Sequence, residues 1–80
     1  MDREFYKRYY AVQFTRLKED RKDLSLNQQL DMALKETEQK YFDHLEKAVR
    51  QKDIGRAYDI VGEFRAFVHE GFLLSGVAII

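Results

Sequence analysis

Residues 25–52 read SLNQQLDMALKETEQKYFDHLEKAVRQK, and the fold turns on how that stretch is parsed. Leu30, Leu34, Tyr41, Leu45 and Val49 recur at steps of four and seven, which puts them along one side of an α-helix. Ala33, Phe42 and Ala48 sit beside that stripe, while Thr37 and Glu38 interrupt it one turn before Tyr41. Gln, Glu, Lys and Asp fill the opposite side, so that side faces water. Ser25 with Gln28 three residues on has the spacing of a capping box, in which each side chain satisfies a backbone N–H of the first turn. Asn27 is an alternative N-cap. A helix from about Leu26 to Lys52 extends roughly 37 Å at 1.5 Å per residue. That is long for a chain of 80 residues. A hairpin with a neighbouring helix, or an elongated dimer, uses such a length.

Upstream, from about Asp2 to Asp23, Phe5, Tyr9, Val12 and Leu17 fall near helical spacing. Tyr6, Tyr10 and Phe14 widen the stripe, and Arg and Lys make the segment mildly basic. Downstream, Asp53 is a good N-cap for a third helix running from Ile54 toward Phe72. Ile54, Ala57, Val61, Phe64 and Val68 form one stripe, but Tyr58, Ile60, Phe67 and Leu73 make this helix apolar on more than one side. A helix apolar nearly all round is usually buried between neighbours, and two other helices cannot wrap it fully. From Phe72 to Ile80 no side chain is charged. Gly71 has the residue type for a left-handed helix cap that would leave a short apolar tail; the alternative continues the helix through Ser75. Such a tail must fold back on the core or enter a partner, because exposed it invites aggregation.

The expectation is one all-α domain over residues 1–80. It has three helices, a long helical hairpin formed by the second and third with the first packed across them, and a short apolar C-terminal tail. The expected core is Phe5, Tyr9, Val12, Leu30, Leu34, Tyr41, Leu45, Val49, Ile54, Ala57, Val61, Phe64 and Val68. Composition agrees with helix: there is no proline, and glycine occurs only at positions 55, 62, 71 and 76.

A domain this small buries a modest fraction of its surface and usually needs a staple. With no cysteine, disulfides and thiolate metal sites are excluded. His44 and His69 have no metal-ligating side chain three or four residues away on either side, so no metal ligand is assigned. No phosphate loop, dinucleotide fingerprint or nucleophile elbow is present, and no catalytic or cofactor-binding residue is assigned. The first 20 residues carry no apolar signal region, and no run of about 18 apolar residues spans a membrane, so a cytoplasmic protein is expected.

Elimination leaves association as the staple. Six Phe and five Tyr are many for this length, and large rings enrich interfaces as well as cores. The expected function is a small, non-enzymatic helical protein–protein interaction module. It self-associates, or docks on a larger protein as an assembly component, adaptor or inhibitor. Its contact surface is expected at Phe72, Leu73, Leu74, Val77, Ile79 and Ile80, with Tyr6, Tyr10 and Phe14 second. The alternative is a small nucleic-acid-binding protein, in which Arg3, Lys7 and Arg8 neutralise phosphates while the neighbouring tyrosines stack on bases. Fourteen basic against fourteen acidic side chains give no net charge to favour it.

Overall fold

Three helices in chain order, α1 (Phe5–Asp20), α2 (Leu26–Arg50) and α3 (Ile54–Ser75), make up the computed structural model. The described backbone covers residues 4–75, and the described side chains end at His69. The architecture is all-helical: α2 is the longest element, and α1 and α3 both pack against it. Helix α3 runs through Gly71 to Ser75, so the glycine does not end it.

Local chemistry sets the boundaries. Ser25 Oγ accepts the Gln28 N–H at 3.2 Å, and Gln28 Oε1 accepts the Ser25 N–H at 2.8 Å, completing the capping box. The turn before it closes on one carbonyl. Arg21 C=O accepts from the Leu24 N–H at 3.1 Å and from Gln29 Nε2 at 2.9 Å, which explains the burial of the Gln29 amide. Ser25→Ala is expected to cost about 1 kcal/mol, visible as a Tm lower by roughly 4–8 °C; an unchanged melting curve would show that the cap does not matter.

Helix α2 ends in a Schellman motif. The Lys52 N–H donates to Val49 C=O and the Asp53 N–H to Ala48 C=O, both at 3.0 Å. The residue that must turn left-handed is Lys52, with φ 56°. Glycine usually takes that position, because a Cβ there crowds the following carbonyl. Lys52→Gly is therefore expected to stabilise the fold by about 1 kcal/mol, and thermal denaturation reads the sign directly. Asp53 then opens α3, its Oδ1 accepting the Arg56 N–H at 3.1 Å.

On α2 and α3 most buried residues sit one position before the stripe of large apolar side chains. On α2 they are Gln29, Ala33, Thr37 and Ala48, with Leu34, Tyr41 and Leu45 half-buried at the flanks. Small side chains line the middle of the packed face, and large ones reach round its edges. Thr37, which breaks the apolar pattern, is fully buried and hands its hydroxyl proton to Ala33 C=O at 2.8 Å. On α1 the buried residues are Tyr6 and Leu17, and on α3 Ile60, Glu63 and Phe67.

Three expected core residues are corrected. Val12 is 49% exposed, Val49 62% and Ile54 70%. The reason is phase: each of these three lies a quarter-turn or more round its helix from the buried residues. The rest of the core is aromatic. Tyr41 and Phe64 stack at 4.1 Å, and Tyr6 meets Phe64 edge-on at 5.6 Å. Tyr10 packs on Phe67 at 5.4 Å, so rings from all three helices meet in one cluster. Such pairs contribute about 0.5–1.5 kcal/mol each beyond their buried area.

Candidate functional site

At the corner where α2 turns into α3, the side chains that miss the core come together. Val49, Ile54, Ala57, Tyr58 and Val61, with Lys52 and Asp53, line an open groove of about 510 Å³. The Schellman turn and the Asp53 cap position it, because together they swing Ile54 and Tyr58 onto the side of α3 away from Ile60 and Phe67. Tyr58 is 74% exposed, the most open of the large apolar side chains among the described residues. Burying apolar area stabilises a contact by about 25 cal/mol per Å². This surface stays wet in the isolated chain, and a partner that covers it gains that energy.

A second constellation is buried. Tyr6 has no exposed surface, and its hydroxyl lies 3.0 Å from His44 Nδ1. With the imidazole neutral and its proton on Nε2, Nδ1 accepts the Tyr6 O–H. Burial, then the charge of Glu63, pushes the Tyr6 phenol up to about 12. Burial, then Lys40 and Arg56, holds His44 below its ordinary value. A phenol with no exposed surface has no route to a substrate. The pair instead ties α1 to α2, and it does so in the neutral forms of both groups.

The sequence-predicted contact residues divide. Tyr6 is corrected from surface to core, since its ring and hydroxyl are both engaged inside. Tyr10 is half-buried against Phe67, and Phe14 is half-buried with Lys18 Nζ 5.5 Å from its ring centre. Phe72, Leu73 and Leu74 lie on the helical backbone of α3 but outside the described side chains, and Val77, Ile79 and Ile80 lie outside the described residues. Of the possible nucleic-acid contacts, Arg3 lies outside the described residues, Lys7 is 3.6 Å from Glu4, and Arg8 is exposed. Tyr9 stacks on Phe5 and carries Lys40 Nζ 5.8 Å from its ring centre. Among the described residues no three His, Asp or Glu side chains are grouped to hold a metal ion. No described helix is long and apolar enough to cross a membrane.

Sequence reasoning assigned Val49, Ile54 and Val61 to the core, and so missed the groove. The signal was present as two overlapping apolar phases on α3. One, containing Ile60 and Phe67, is spent on the core; the other, containing Ile54 and Tyr58, is left open. No protein-family model, no curated protein and no solved structure matches this chain.

Proposed function

We propose that this chain is a small helical interaction module that works by docking another protein chain, its own copy included, on the groove at the α2–α3 corner. One observation carries the reading: Val49, Ile54 and Tyr58 are exposed together around one apolar depression, although the same helices bury Ala48, Ile60 and Phe67 next to them. Isolated exposed apolar residues are ordinary, but a contiguous concave set marks a contact site. The aromatic at its rim suits an anchor, since Tyr gives large contact area for little lost freedom. Lys52 and Asp53 at its edge set orientation more than affinity.

A photoreactive side chain at position 58 tests this in cells. It is expected to give discrete protein adducts, whereas the same group at the exposed position 39 on α2 gives none. Equal labelling from both positions, or none from 58, removes the docking role.

A further inference from the structure

We infer that the occupant of this open surface is a second copy of the chain, its α3 lying antiparallel on the first α3 and crossing at Gly62. The inference rests on the docking reading above and names its partner.

The exposed side of α3 is not built like a water-facing helix. On α2 the outward residues are Asp31, Lys35, Gln39, Asp43, Glu46, Lys47 and Arg50, with the apolar Phe42 among them. On α3 the side opposite Ile60 and Phe67 shows Gly55, Tyr58, Asp59, Gly62, Arg65, Ala66 and His69, all exposed. Tyr58 joins this side to the groove, so apolar depression and helix face form one continuous surface.

The two charges on that face identify the partner. Asp59 stands three residues before Gly62 and Arg65 three after it. In an antiparallel pair centred on Gly62, each Asp59 lies level with the other copy's Arg65, and the two-fold axis makes that match twice. Tyr58 lies level with Ala66 in the same register. Among the described residues neither Asp59 nor Arg65 is in an ion pair within the chain. The face cancels its own charge, so it fits itself better than a strongly acidic or basic partner. Gly62 agrees with the crossing. A Cβ added there would meet nothing within 4 Å, so the single chain does not need glycine at this point, and glycine weakens a helix interior. A second backbone approaching closely does need it. A contact limited to one helix face is smaller than a standard interface, so the dimer is expected to be reversible.

Sedimentation of the full chain over a range of concentrations tests the pairing. The chain is expected to dimerise. Asp59→Arg and Arg65→Asp should each weaken dimerisation at least tenfold, with circular dichroism and Tm unchanged at dilutions where the chain is monomeric. Mixing the two variants should restore it, since opposite charges then meet at both positions. Gly62→Gln should raise helix stability while weakening the dimer, a combination that a purely structural glycine would not produce. A dimer indifferent to both charge reversals overturns the inference and leaves the docking reading standing. So does a chain that stays monomeric while position 58 still labels a different protein. A monomer that labels nothing from position 58 overturns both.

Discussion

Replacing Tyr6 with alanine is expected to lower the stability of the chain by about 3–5 kcal/mol, the cost typical of removing a fully buried aromatic ring. The ring has no exposed surface and makes edge contacts with Phe5, Tyr41 and Phe64, which draw on all three helices. Its hydroxyl is also the tie to His44. A domain of this size has a total stability of roughly 4–12 kcal/mol. The variant should therefore stand at the edge of unfolding at 25 °C, and urea denaturation followed by circular dichroism will measure it. A loss below about 1 kcal/mol, the cost of an ordinary surface change, would mean that α1 is not held by this ring.

The second large effect is alkaline. A group whose folded pKa is raised contributes stability that is present below its unfolded pKa and lost as pH climbs to its folded one. For Tyr6 that window runs from 10.0 to about 12. At 1.36 kcal/mol per pH unit, the loss across it is about 3 kcal/mol. Burial raises the Tyr10 phenol as well, so it adds in the same direction. His44 works at the other end. Its pKa is depressed, so the unfolded chain takes the proton first, and stability falls as pH drops below 6.5 toward the lower folded value. Protonation also removes the Nδ1 lone pair that accepts from Tyr6. The chain should thus be most stable between about pH 7 and 9. Tyr6→Phe should flatten the alkaline limb, because the phenol that titrates is gone. An alkaline limb that persists unchanged in Tyr6→Phe would assign the titration to another group.

These effects centre on a residue that sequence spacing placed on a widened stripe and on the list of surface contacts. The stripe reading assumed that the largest side chains point at the core. In this bundle α2 buries the small side chains Ala33, Thr37 and Ala48, and the neighbouring helices pack Tyr6, Ile60 and Phe67 in one cluster with Ala48. Leu34 and Leu45 are half-buried beside them. The groove was illegible for the same reason. Ile54 and Val49 look like core residues until the rotation of their helices is known.

Local chemistry alone determined the three helices and the starts of α2 and α3. The Ser25–Gln28 box and the Asp53 cap act over three residues, and helical periodicity needs no partner to be read. What only the tertiary structure decided is the rotation of each helix about its axis. That choice sets which of two adjacent apolar faces on α3 is covered. It depends on side-chain volumes summed across all three helices, a quantity no single stretch of the chain contains.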